Sequence, residues 1–277
     1  MSTRFPISRL TAGLASAIAL AGVATPSIAQ DLPTSQPAFV SIVRERVKPA
    51  RDAQHAKIEA GWPAAFAKAK FPDYYIAITS MTGPSEAWFI SPFPTYAAMG
   101  ASLEKQAADP ALSADLEKLS KADAEVLDAL NVVQLRARPE LSQGAFPDIA
   151  MMRFYQITVI QTKVGRGDVV DSILKINAAV AQRAGVPSNY RVYQVAAGMP
   201  GPTYFIFSTQ TSFAEYDVNM ANGAKATAAQ TPEEQAALLK YRGDITSNVT
   251  NRYRIDPKMS YVSAATRAKD PKFWGKM

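Results

Sequence analysis

One arrangement of runs and turns occurs twice in this chain. Tyr74 to Thr95, YYIAITSMTGPSEAWFISPFPT, is a pair of apolar, aromatic-rich runs around a Gly-Pro turn. Tyr190 to Ser212, YRVYQVAAGMPGPTYFIFSTQTS, has the same layout. The flanking residues repeat too. Lys48-Pro49-Ala50-Arg51 overlays Lys163-Val164-Gly165-Arg166 at an offset of about 115. Gly83-Pro84 overlays Gly201-Pro202, Thr95-Tyr96-Ala97 overlays Ser212-Phe213-Ala214, and Arg136-Ala137-Arg138 overlays Arg252-Tyr253-Arg254. Four matches in order at nearly constant offset mark an internal duplication, so each copy must fold as one unit and bury what the other leaves bare.

Within the first copy, Phe39 to Val47 reads as a strand closed by Lys48-Pro49. Ala50 to Lys70 reads as a helix with Ile58, Trp62, Ala65 and Ala69 on one face and a kink at Pro63. The hairpin strands Tyr74–Ser80 and Ala87–Phe93 follow. A helical region then runs from Thr95 to about Leu130, interrupted at Asp109-Pro110, and Asn131 to Ser142 reads as a fourth strand. The second copy runs from a strand at Met152–Lys163 to a helix capped by Asp168, with Val169, Ile173, Ile176 and Val180 at helical spacing and Gly185 just past its end. After the hairpin, Ser212-Phe213-Ala214-Glu215 reads as a capping box opening a helical region broken near Asn222-Gly223 and Thr231-Pro232. Val249 to Tyr261 supplies the last strand. The expected organisation is a signal peptide (1–29), a linker (30–38), repeat 1 (39–142), a linker (143–150), repeat 2 (151–262) and a loose basic tail (263–277).

The order β-α-β-β-α-β is the ferredoxin-like pattern, an antiparallel four-stranded sheet with helices on one face. Phe205 and Phe207 alternate with Tyr204 and Ile206, so both faces of that strand are apolar, and the helix-free face needs a cover. The other repeat can provide it. In this repeat order the chain resembles the dimeric α+β barrel superfamily, here with both ferredoxin-like units fused in tandem, and is similar to exported bacterial proteins of that type. The resemblance implies an α+β fold in which two βαββαβ repeats pack sheet to sheet around a central space, a chain that can be a monomer or a further homodimer, and two possible chemistries. One is a cofactor-free oxygenase-like enzyme. The other, less favoured, is haem binding through His55.

Met1 to Arg9 carries Arg4 and Arg9 and no acid, Leu10 to Ala24 is apolar, and Ser27-Ile28-Ala29 is a small-x-small cleavage site. That is a secretory signal peptide, too short in its apolar run for the roughly 20 residues of a spanning helix. A periplasmic or secreted product of about 248 residues follows, with no stable membrane anchor. The chain has no Cys, so it holds together by core packing without disulfides. Without the leader, 28 Lys and Arg face 24 Asp and Glu, an excess small and spread out, which argues against nucleic acid as a partner.

Little in the sequence carries chemistry. His55 is the only histidine, and with Arg51 and Glu59 at i, i+4 and i+8 it reads as a solvated helix face. No metal is expected, because there is no Cys, no H-E-x-x-H and no D-x-D-x-D-G loop; no cofactor is expected either. Ser102-Leu103-Glu104-Lys105 and Ser172-Ile173-Leu174-Lys175 match S-x-x-K without the supporting K-T-G or S-D-N. Arg166-Gly167-Asp168 reads as a turn and helix start. Two features suggest a small-molecule ligand. Arg136 and Arg138, and again Arg252 and Arg254, are i, i+2 on strands and share one face, where paired guanidinium groups can hold a carboxylate or phosphate. Among the hairpin aromatics, Tyr75, Trp88, Tyr193 and Tyr204 are candidates to line an apolar pocket between the sheets. The expectation is a binding or scaffold protein of the cell envelope, holding a small apolar or anionic molecule, with catalysis as the alternative.

Overall fold

The structure is a computed structural model that describes residues 31–275; the expected signal peptide lies outside the described residues. The first repeat comprises β1 (Phe39–Val47), α1 (Asp52–Glu59), α2 (Gly61–Lys68), β2 (Ile76–Ser80), β3 (Glu86–Phe93), α3 (Tyr96–Ala107), α4 (Pro110–Ala124) and β4 (Leu127–Ala137). The second comprises β5 (Phe154–Thr162), α5 (Asp168–Arg183), β6 (Arg191–Ala197), β7 (Thr203–Gln210), α6 (Glu215–Ala228), α7 (Pro232–Arg242) and β8 (Ile245–Ile255). Two short helices follow, α8 (Ala264–Lys269) and α9 (Pro271–Trp274).

The strands close into one barrel in the order β1-β3-β2-β8-β5-β7-β6-β4. Every neighbouring pair is antiparallel. The repeats are joined at two seams, Ile78–Ser80 against Tyr253–Ile255 and Gln134–Ala137 against Tyr193–Ala197. Closure leaves no unpaired strand edge. β1 and β5 are four antiparallel steps apart, so they point the same way and the two repeats are related about the barrel's own axis. One consequence matters for function. The segment before β1, the linker from β4 to β5 and the chain after β8 all meet at one end of the barrel.

Alternation sorts each strand into an inside and a helix-covered outside. Val40 and Ile42 of β1, Trp88 of β3, Tyr155 and Ile157 of β5 and Phe205 and Phe207 of β7 belong to the interior cluster. Ala77, Ala87 and Phe89 pack against α2 and α4 in repeat 1, and Ile160, Val192 and Tyr204 pack against α5 in repeat 2. The sheet-to-sheet burial expected from two apolar faces on one strand is therefore present, with Phe205 inside and Tyr204 outside.

Several local expectations are corrected. The helix expected over 50–70 is two helices parted at Ala60, and Pro63 sits in the first turn of α2, where a missing N–H costs nothing. The Asp109-Pro110 interruption is a clean restart: Asp109 Oδ1 accepts from the N–H of Ala111 and Leu112 at 3.0 Å each. Asp168 does not cap α5; it lies in the first turn behind Gly167. Gly185 does occupy the left-handed position after α5, φ 63°, and Val186 N–H reaches back to Ala181 O at 3.0 Å. Ser212 does not cap α6, whose Glu215 instead accepts from Thr211; α6 runs unbroken through Asn222-Gly223, and the working capping box is Thr231 with Glu234 at α7. β4 and β8 begin about four residues earlier than expected.

Two corrections are larger. The tail after β8 is ordered and docked: Trp274 is 1 % exposed, its Nε1 donates to Ala150 O at 2.9 Å, and Arg153 pairs with Asp270 under the Phe273 ring. His55 and Glu59 are not solvated. They are 2 % exposed each, packed beneath β1, while only Arg51 of that stripe faces water.

Candidate functional site

The middle of the barrel is solid. Trp88 packs at a tilt on Tyr253 with ring centroids 4.8 Å apart and meets Phe205 at 6.0 Å; Phe205 in turn stacks on Phe207 at 6.1 Å. One end is plugged by charge. Glu86 accepts from Trp88 Nε1 at 2.8 Å and from Arg44 at 3.1 Å, and the Arg44 guanidinium lies 4.3 Å over the Trp88 ring.

The other end, where the three connecting segments meet, is hollow. A cavity of about 80 Å³ is walled by Val40, Ile76, Ile90, Tyr155, Tyr193 and Phe207 from the strands. Its cover is Leu32, Pro33 and Pro37 from the segment before β1, with Phe146, Pro147 and Ile149 from the linker between repeats. Asp31 ties the first segment down, accepting from Ser263 Oγ at 2.7 Å and Thr266 Oγ1 at 2.9 Å. Arg191 ties down the second. Its guanidinium donates to the carbonyls of Gln143 at 2.7 Å and Gly144 at 2.8 Å, and also to that of Ala145. That spends its donors on the linker and leaves it a clip, not an anion receptor.

The wall carries the phenols of Tyr155, Tyr190 and Tyr193 beside Asn189, Arg191 and Thr209. Burial pushes the hydroxyls of Tyr155 and Tyr193 far above the ordinary tyrosine value, and that of Tyr190 upward as well, so all three stay protonated. The Tyr190 hydroxyl is buried with no hydrogen-bond partner. The Tyr190 ring packs against the cluster of Leu141, Ile160 and Val192 on the α5 side.

Of the residues singled out from the sequence, Tyr193 lines this cavity. Trp88 is interior core. Tyr75 and Tyr204 are buried on the helix side, Tyr204 donating to Gly167 O at 3.2 Å. The four arginines lie outside the barrel. Arg138 pairs with Asp171 at 2.6 Å and Glu140 at 2.5 Å, Arg136 reaches Gln194 at 3.5 Å, Arg252 lies 4.2 Å over the Tyr216 ring, and Arg254 Nε donates to Thr79 Oγ1 at 3.2 Å. Sequence reasoning missed the cover itself, because a Pro-rich segment and a linker carry no strand or helix signal. Leu32, Phe146 and Ile149 among those prolines were the available clue.

The haem expectation fails on space. His55 is enclosed, and the polar cavity it helps to line, about 120 Å³ with Asp52, Ser85, Glu86, Arg254 and Asp256 in its wall, is too small for a porphyrin.

No protein-family model matches the sequence, and no curated protein matches it. Solved structures do. A candidate monooxygenase from Fusobacterium nucleatum superposes with a TM-score of 0.51 at 9 % identity, over 80 % of this chain and 93 % of that one. An anthrone oxidase-like protein superposes with a TM-score of 0.54 at 13 % identity, over 81 % of this chain and 94 % of that one. Likeness at such identity shows the fold alone. Together with the closed antiparallel barrel, it establishes a dimeric α+β barrel built by one chain from two ferredoxin-like repeats.

Proposed function

We propose that this is an exported binding protein that holds a small apolar molecule in the covered end of its barrel. The observation that carries the reading is the contrast inside the barrel. Aromatic rings fill its middle, yet the end beneath two Pro-rich segments is left open, apolar, and edged by phenol hydroxyls. The arginines expected to attract an anion lie outside, and Arg191 is committed to the linker, so the ligand is uncharged. At about 80 Å³, the space takes a single ring or a short alkyl end. Titration calorimetry with a monocyclic phenol and a short-chain alkanol tests this. Saturable binding that falls at least about tenfold (1.4 kcal/mol) when Ile90→Trp fills the cavity supports it. Equal binding by that variant overturns it.

A second reading is an oxygenase-like enzyme acting on an activated organic substrate in the same space, favoured by the likeness to the anthrone oxidase-like protein. Oxygen uptake with an anthrone that is lost in Ile90→Trp supports it; no uptake leaves the binding reading.

A further inference from the structure

Beneath β1 of repeat 1 lies a buried cluster of three carboxyl groups and one imidazole. Glu45 enters from β1, His55 and Glu59 stand one turn apart on α1, and Asp123 comes from the end of α4. Their exposures are 4, 2, 2 and 3 %. His55 Nε2 lies 2.8 Å from Glu45 Oε2, and Trp62 Nε1 donates to Asp123 Oδ2 at 3.2 Å. Glu59 Oε1 and Asp123 Oδ1 have no donor at all. One imidazole therefore faces three carboxylates. With His55 charged and all three carboxyls ionised, two negative charges would remain in a site closed to water, so retained protons or a bound cation must offset them.

The fold does not require this cluster. At the repeat offset of 115, Glu45, His55 and Glu59 correspond to Ile160, Val170 and Leu174. Those three lie together in one apolar cluster. The same strand-on-helix contact thus packs with hydrocarbon in repeat 2 and with ligand-type atoms in repeat 1.

We propose that Glu45, His55 and Glu59 bind a divalent first-row transition-metal ion, with Asp123, held by Trp62, as a further carboxylate donor. One donor atom from each of the three lies within 4.8 Å of the other two. A tetrahedral set with bonds of about 2.0–2.2 Å places donors about 3.3–3.6 Å apart, so closing on an ion takes shifts of about 1 Å. One nitrogen with carboxylate oxygens suits Zn²⁺, Fe²⁺ or Mn²⁺ better than a soft ion. The His55–Glu59 spacing of i, i+4 puts both on one helix face. An entry path exists, because His55 forms part of the wall of the polar cavity that also carries Asp52, Glu86 and Asp256, with Arg254 beside them. A divalent ion that displaces the acid protons supplies the balancing charge in their place. This site is independent of the apolar cavity, which lies at the other end of the barrel.

The test uses the full chain, stripped with chelator and dialysed, then titrated with Zn²⁺ by calorimetry and with Co²⁺ by visible spectroscopy. The expected result is one ion per chain, ligand-field bands for bound Co²⁺, and an upward shift of the melting temperature on adding Zn²⁺. His55→Gln and Glu59→Gln each weaken binding at least 100-fold, and Asp123→Asn about tenfold, as removal of supporting groups does elsewhere. Wild-type protein that melts cooperatively yet shows neither stoichiometric binding nor a thermal shift overturns the proposal. So does binding that both His55→Gln and Glu59→Gln leave unchanged, since the ion then sits elsewhere.

Discussion

The two repeats share a strand order and a barrel but differ in what they place under their first strand. Repeat 2 packs Ile160 against Val170 and Leu174 of α5. Repeat 1 sets Glu45 against His55 and Glu59 of α1. Burial pushes the Glu59 carboxyl up to about 11, with Glu45 and Asp123 beside it adding to the rise. Duplicated units with equal packing needs have solved them in unequal ways. The difference teaches that the strand-on-helix contact does not itself require polar residues, since its twin packs with hydrocarbon.

Four substitutions or conditions sharpen that contrast. Carrying the polar solution into repeat 2 has the largest effect. Leu174→Glu buries a carboxylate among Ile160, Val170 and Tyr204 with no partner, and costs at least about 3 kcal/mol in urea unfolding. Next, Trp274→Ala removes a side chain 1 % exposed from the docked tail and costs about 3 kcal/mol, which shows that the chain after repeat 2 is structural. A tail variant that melts like wild type would mean the docking is loose. Arg138→Ala breaks the ion pairs with Asp171 and Glu140 on the repeat-2 side, costs about 1 kcal/mol, and leaves affinity for the apolar probe unchanged because Arg138 lies outside the barrel. The smallest effect is one of pH. Burial alone would raise the Asp31 carboxyl, but bonds from Ser263, the Leu32 N–H and Thr266 bring it below its ordinary value. Its contribution is present above the unfolded value of 3.8 and is lost as pH falls through the folded one. The cover before β1 therefore loosens in acid, and the amide protection factors of residues 32–37 should fall below about pH 4 in wild type while being pH-independent, and lower throughout, in Asp31→Asn.

The barrel was legible because repetition is a long-range signal: an offset that holds from Lys48 to Ser142 constrains topology in a way no single run does. The alternation of Tyr204, Phe205, Ile206 and Phe207 told that both faces of β7 are covered. His55 was misread because spacing alone cannot separate a solvated polar stripe from a buried polar cluster. The information lay in the other repeat. Val170 and Leu174 at the matching places mark that helix face as core-facing, and a polar residue at a core-facing place is the one to question. The cavity was less legible still. It depends on which barrel end collects the connecting segments, and that follows from strand closure rather than from local pattern. The arginine pairs did share a face, as their i, i+2 spacing required, but it is the helix side, where Asp171 and Glu140 satisfy Arg138.

The most direct measurement copies repeat 2 into repeat 1. Glu45→Ile, His55→Val and Glu59→Leu are made together and unfolded in urea beside metal-stripped wild type, each with and without Zn²⁺. If the polar cluster serves an ion, the triple variant is at least as stable as stripped wild type, by about 1–4 kcal/mol on the precedent of buried charge clusters replaced by hydrocarbon, and Zn²⁺ stabilises only the wild type. A triple variant less stable than stripped wild type, with Zn²⁺ acting on neither, would show that the cluster is there to hold the fold.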